Sequence, residues 1–218
     1  MGEIDLLKNY PQTKRNLEQR QERKTAEDHR IGREFAKDYF DGDRRYGYGG
    51  YKYHPRFWQP VVPDFQARYG LSKESSILDV GCAKGFMLHD FCELIPGIKV
   101  QGIDISEYAI GNAIDDMKPY LRVGNAKELP FADKSFDLVI SINTIHNLAV
   151  EECRLALKEI QRVSKRAAFI TVDAYRNAEE KKRMDMWNLT ALTYFSVEGW
   201  KKSFKETGYR GDYYWFIP

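Results

Sequence analysis

Ser76-Ile77-Leu78-Asp79-Val80-Gly81-Cys82-Ala83-Lys84-Gly85-Phe86-Met87-Leu88 reads as a buried strand that runs through a turn of small residues straight into a helix. The apolar run before the turn is too short for a helix and is bounded by glycine, which favours a strand. Gly81 and Gly85 remove side chains where a ligand and a helix must both approach the backbone. The amides at the helix start are then free to face a ligand's oxygens. The spacing is Asp-x-Gly-x-x-x-Gly and not the Gly-x-Gly-x-x-Gly of dinucleotide sites, so no pyrophosphate cradle is spelled out. Taken alone, such a turn also serves packing in many α/β proteins.

The stretch that follows narrows the choice. Val100-Gln101-Gly102-Ile103-Asp104-Ile105 is a second strand pattern, and it ends in an acidic residue nineteen positions after Gly85. An acid at the tip of the second strand is placed to accept both hydroxyls of a ribose. Strands are predicted over residues 77–80, 100–105, 121–123, 136–142, 168–172 and 213–217, with amphipathic helices between them. Ile110, Ala113, Ile114 and Met117 mark one helix behind the cap residue Ser106. Cys153, Ala156, Leu157, Ile160 and Val163 mark a second. Val197, Trp200 and Phe204 mark a third, opened by Ser196 and closed by Gly208. Strand and helix alternate, which predicts a mostly parallel sheet with helices on both faces.

Four blocks in order resemble the class I S-adenosylmethionine (SAM) dependent methyltransferases, in particular the group of ubiquinone/menaquinone-type and small-molecule methyltransferases. They are Leu78–Gly85, Gly102-Ile103-Asp104-Ile105-Ser106, Gly124-Asn125-Ala126, and the run from Leu129 through Phe136-Asp137-Leu138-Val139 to His146. The resemblance covers roughly residues 70–172. It implies a Rossmann-like α/β domain with SAM as cofactor. By that resemblance Gly81, Ala83 and Gly85 contact the methionine tail and Asp79 braces the turn. Asp104 takes the ribose hydroxyls, Ile105 lies against the adenine, and Asn125 and Ala126 stand at the adenine edge, with Asn143 also facing the cofactor. Two positions depart from the common pattern. Ala83 replaces a glycine and tightens the turn, and Asn125 replaces an Asp, its carbonyl still able to accept from an exocyclic amine.

Reactive groups in such sheets gather at the carboxyl ends of the strands. There the sequence offers His146 after the fourth strand, and Asp173 and Tyr175 after the fifth. His146 is a general-base candidate because its ordinary pKa lies near working pH; the alternative is a histidine that caps or packs. Asp173 likewise serves either chemistry or the capping of the next segment. Nothing after the fourth strand matches the Asn-Pro-Pro-Tyr motif of methyltransferases that act on nucleic-acid amines.

Two segments exceed the bare fold, and one of them belongs to a charged, helix-prone extension. Residues 1–70 are read as that extension with an aromatic lid, and residues 71–218 as the SAM-binding domain. The lid is the stretch 46–58, where Tyr46, Tyr48, Tyr51 and Tyr53 alternate with Gly47, Gly49 and Gly50. Tyr48 and Tyr53 are expected against the cofactor, since aromatic faces suit a sulfonium cation. The glycines predict hinges, and so a lid that ligand orders; the alternative is a satellite core. The second flap is residues 176–195. The family also ends in an antiparallel hairpin, whereas residues 208–218 leave room for one strand. The exposed edge is expected to be covered by the N-terminal extension or by a second copy of the chain.

Bulk properties exclude several classes. With 218 residues, 43% hydrophobic and 30% charged, the chain has the composition of one folded α/β unit plus an extension. A net charge of +2, with acids and bases interleaved, gives no electrostatic case for nucleic acid. Three scattered cysteines suit neither a disulfide framework nor a zinc site, and no metal is expected. No apolar run is long enough to span a membrane, and the start lacks signal-peptide and myristoylation patterns, so a cytoplasmic location is expected. The sequence predicts methyl transfer to an O, N or C atom of a small molecule. The alternative is an enzyme of the same fold that cyclises or transfers the aminocarboxypropyl arm and releases methylthioadenosine. An RNA-modifying enzyme recruiting through residues 8–45 and a non-catalytic SAM-binding protein rank behind both.

Overall fold

The computed structural model describes residues 2–11 and 24–218. The strand patterns of the sequence all form, as β1 (Ser76–Val80), β2 (Lys99–Asp104), β3 (Leu121–Val123), β4 (Phe136–Ile142), β5 (Ser164–Tyr175) and, after a two-residue β6 (Phe195–Ser196), β7 (Asp212–Phe216). The spatial order is β3-β2-β1-β4-β5-β7, every pair parallel, with β6 beside the last two residues of β5. β5 runs beyond its expected limits at both ends, and β6 left no pattern in the sequence.

The helices are α1 (Ala26–Arg33), α2 (Lys37–Asp41), α3 (Val62–Tyr69), α4 (Phe86–Leu94), α5 (Glu107–Gly111), α6 (Val150–Val163), α7 (Ala178–Trp187) and α8 (Val197–Thr207). Two of the three predicted stripes form helices as expected, α6 and α8. Ser196 caps α8 by accepting the Gly199 amide, and Gly208 ends it in the left-handed conformation. The stripe after Ser106 is a correction. Ser106 does cap, but α5 stops at Gly111, and the Ile114 amide donates to the Lys84 carbonyl at 3.1 Å instead of continuing the helix. Gly111-Asn112 are weak helix formers, and the carbonyl of the glycine turn offers the chain a better partner. Helix expected within residues 12–23 lies outside the described residues.

The sheet sorts its side chains by the period of two that a pleated strand imposes. On one face Leu78, Val80, Ile103 and Val139 pack with α6 and α8 residues such as Leu157, Ile160, Trp200 and Phe204. On the other, Ile77, Leu138, Ile140 and Phe169 pack with Phe65 of α3, Leu88 and Phe91 of α4, and Leu6. Burial on both faces explains the nearly continuous apolar strands. At the far edge, the Tyr213 amide donates to the Gly2 carbonyl at 3.1 Å, and the Ile4 amide donates to the Tyr213 carbonyl at 3.0 Å. The N-terminal residues therefore cover the β7 edge, and β7 runs parallel to β5 with no antiparallel partner among the described residues.

Candidate functional site

The order of strands switches between β1, which leads out to β2, and β4, and the carboxyl ends at such a switch point are where open α/β sheets bind ligands. The turn after β1 lies there. Gly81 adopts φ +90 and its amide reaches the Ile103 carbonyl at 2.7 Å. A Cβ on Gly81 would lie 2.1 Å from Thr144 Oγ1, so glycine is needed for the close approach of the β4 loop. Ala83 is also left-handed, at φ +49, and turns its amide onto Asp104 Oδ2 at 2.8 Å. Gly85, at φ +79, begins α4, but a Cβ there would meet Leu121 and Met117. Its backbone freedom serves packing against β3.

Asp104 is the pivot. Its Oδ1 accepts the Ser106 amide at 2.9 Å while its Oδ2 holds Ala83, and burial nonetheless raises its carboxyl above the ordinary range. Asp79 lies behind, 5% exposed, pushed up to about 8 by burial and by the neighbouring Asp104 charge. Ile105, next along the chain, leaves 54% of its surface open, an apolar face beside a half-buried carboxylate. The β3 tip is tied in through the Gly124 amide, which donates to the Asp104 carbonyl at 2.9 Å. Beyond it Asn125 Oδ1 accepts the Lys127 amide at 3.1 Å, and Ala126 packs on the core. Asn143 is left-handed at φ +52 and exposed; its Oδ1 accepts the Thr171 hydroxyl at 2.9 Å. The Asp104 carboxylate, the exposed apolar face of Ile105 and a turn opened by Gly81 and Gly85 thus stand close together, and this donor set fits SAM.

His146 and Asp173 are also brought together. The Asp173 amide donates to His146 Nδ1 at 3.0 Å, so that nitrogen accepts and the ring proton sits on Nε2. Burial lowers the imidazole pKa, opposed by the Asp173 charge, and no ring lone pair remains for a substrate proton. The His146 carbonyl accepts the amides of Leu192 and Thr193, while the Asp173 carbonyl accepts Trp200 Nε1. Tyr175 ends β5 half-buried, its ring 6.0 Å from Lys181 Nζ.

Above the strand tips lies a cap formed by α1, α2 and the aromatic stretch. Tyr51 stacks on Phe86 with ring centres 4.9 Å apart, and Tyr48 packs on Tyr51, Tyr39 and Phe40. Tyr53 instead follows the flank of α4, its hydroxyl donating to Asp90 Oδ1 at 2.6 Å. Two of the glycines between these rings have a packing role as well. A Cβ on Gly47 would lie 2.2 Å from the Tyr39 carbonyl oxygen, and one on Gly49 would lie 2.8 Å from Arg44 Cδ, whereas Gly50, at φ +109, faces open space. The cap also reaches the second flap. His29 Nδ1 bonds the Leu189 carbonyl at 2.7 Å, and Lys24 Nζ donates to the carbonyls of Met186, Trp187 and Asn188 at the end of α7. Lys84, Asp41, Tyr39 and Thr144 were not singled out from sequence. Only Lys84 carried a signal, a charge set among small residues.

Residues 71–209 match the family model described as a methyltransferase domain. An uncharacterized protein of Haemophilus influenzae is 30% identical over 158 residues, 66% of this chain and 62% of that protein. A demethylmenaquinone methyltransferase of Symbiobacterium thermophilum is 35% identical over 126 residues, 54% of this chain and 49% of its own length. This chain thus spans less than two thirds of either relative. Among solved structures, Haemonchus contortus phosphoethanolamine N-methyltransferase 2, in complex with phosphomonomethylethanolamine and S-adenosylhomocysteine, superposes with a TM-score of 0.60. The match covers 81% of this chain and 44% of that one at 19% identity, a likeness of fold.

Proposed function

This chain belongs to the SAM-dependent methyltransferase family, and from that premise we propose that it methylates an O, N or C atom of a small molecule held under the cap. The observation that carries the small-molecule reading is the roof. Tyr51 on Phe86 and the Ser106 hydroxyl on the Phe35 carbonyl, at 2.5 Å, seat the aromatic cap directly on the elements that follow β1 and β2. A site covered in this way takes an acceptor that fits beneath it and excludes water.

S-adenosylmethionine is the cofactor, and when bound it supplies an electrophilic methyl group on a sulfonium centre. Asp104 orients the ribose, Ile105 covers one adenine face, Asn125 and Ala126 border its edge, and Gly81 and Ala83 with Asn143 accommodate the methionine end, while Gly85 keeps the turn in place by packing toward β3. Asp79 sits beneath that turn. Asp173 and Tyr175 stand on the acceptor side at the end of β5. His146 acts through Asp173, whose amide it holds, and is a positioning residue in this reading. The described residues of 1–70 serve chiefly as cap and sheet edge, and residues 71–218 hold the cofactor. No described helix is long and apolar enough to cross a membrane.

Mass spectrometry of the by-product tests the reaction, using the purified chain, SAM and a panel of hydroxylated, amine and quinol acceptors alongside bulk tRNA. S-adenosylhomocysteine with a methylated small acceptor is the expected result. Methylthioadenosine as product moves the assignment to transfer or cyclisation of the aminocarboxypropyl arm. Methylated tRNA with untouched small acceptors removes the small-molecule reading.

A further inference from the structure

Lys84 is the one charged residue in the cofactor turn, and its side chain is 8% exposed. The ammonium turns upward into the cap and donates to Asp41 Oδ2 at 2.6 Å and to the Tyr51 carbonyl at 2.9 Å. It also stands 5.7 Å from the centre of the Tyr108 ring. Asp41, the last residue of α2, accepts on both oxygens: its Oδ2 also takes the Tyr108 hydroxyl at 2.8 Å, and its Oδ1 takes the Tyr51 amide at 2.9 Å. Burial would raise this carboxyl, yet the hydrogen bonds from Lys84, the Tyr51 amide and Tyr108 hold it below the ordinary range.

One charge pair therefore joins three pieces of the site. They are the turn after β1, the α5 segment that follows Asp104, and the cap. Lys84 is buried while Asp41 keeps 24% of its side-chain surface exposed, and drawing the ammonium out of water offsets much of what its partner returns, so such a pair is a poor stabiliser beside an apolar contact of equal size. Its best-attested use is to fix position. Here it fixes Phe40, Tyr48 and Tyr51, which pack together next to Asp41. The backbone on the other side is equally committed, because Ala83, one residue before Lys84, is held by Asp104. Whatever bears on Ala83 and Asp104 also bears on the anchor of the cap.

We propose that Lys84 is a positioning residue that couples occupancy of the cofactor turn to closure of the cap over residues 35–53, acting through Asp41. The proposal rests on the reading that this turn binds SAM. With the pair intact the cap stays shut over a bound cofactor, and release waits for the pair to open. Without it the cap opens more often, and release quickens while association is unchanged.

The test uses the full chain and S-adenosylhomocysteine. Release is followed by stopped-flow displacement, and amide exchange of residues 35–53 is measured with and without ligand. Lys84→Met and Asp41→Asn are each expected to speed release about tenfold, with association within about twofold, as befits loss of one hydrogen-bonded charge partner. The double variant is expected to be no faster than either single one, because the two residues act as a unit. Both variants are also expected to lose the ligand-dependent slowing of exchange in the cap. Should Lys84→Met fail to fold, Tyr108→Phe removes only a hydroxyl from Asp41 and is expected to shift release in the same direction by a smaller factor. Wild-type release rates in the folded variants overturn the coupling. So does fast release in Lys84→Met alone with Asp41→Asn unchanged, which would make Lys84 a direct cofactor contact. A wild-type chain that binds no S-adenosylhomocysteine overturns the proposed function itself, and the coupling with it.

Discussion

Asp104 holds the amides of Ala83 and Ser106 with its two oxygens. The proposed function gives the same carboxylate a second task, the ribose hydroxyls, and separate measurements resolve the two. Asp104→Ala should therefore weaken SAM binding by about 2–4 kcal/mol, roughly thirty- to a thousand-fold, and lower the thermal midpoint of the ligand-free protein as well. Calorimetry of binding and of unfolding reads both; unchanged affinity would remove Asp104 from the ribose. Asp79 makes the pH dependence predictable. The folded carboxyl keeps its proton up to about 8, while an ordinary one loses it near 3.8. The folded state binds the extra proton between those values, so this residue's contribution to stability declines as pH rises through the window. Asp79→Asn cannot titrate, and wild type should lose ground to it steadily from about pH 4 to about pH 8 in urea unfolding. Parallel pH profiles would mean that Asp79 ionises normally.

Among the elements, the turn between β1 and α4 shows glycine used for two different neighbours. Gly81 makes room for Thr144 of the β4 loop, and Gly85 makes room for Leu121 of β3. Gly85→Ala should cost about 1–3 kcal/mol in urea unfolding, from a left-handed Cβ and from the 2.8 Å approach to Leu121. Once folded, the variant should bind SAM with affinity close to wild type, since the added methyl points into the core. A large loss of affinity with unchanged stability would place Gly85 on the cofactor instead.

On the scale of the molecule, the sheet is closed off by its own N-terminal residues. Gly2 and Ile4 bond both groups of Tyr213, and Leu6, 4% exposed, enters the cluster beneath α3 and α4. Leu6→Ala should cost about 2–5 kcal/mol, as for other buried leucines truncated in a core. It should also loosen the strip along β7, visible as faster amide exchange at Ile4 and Tyr213. A surface-like loss below about 0.5 kcal/mol would mean that this segment only rests on the domain.

Much of this was local and therefore legible from sequence. The β1 turn, the acid ending β2 and the alternation of strand and helix depend on steric rules and burial periods that act over a few residues, so the sheet could be read directly, while the cofactor was legible only through the resemblance of four ordered blocks to a known family. The one failed helix pattern was not local in origin: periodicity after Ser106 lost to a carbonyl far away in the chain, that of Lys84. What only the tertiary structure decided are partnerships between ordinary residues far apart in the chain. Lys84 and Asp41 are 43 positions apart, and the Asp173 amide that sets the His146 tautomer is 27 away. Nothing in the residue types at those positions names the partner. Burial and hydrogen bonding select it only when the folded backbone has brought the two together, because a charge or a ring nitrogen must find whichever complementary group is within about 3 Å.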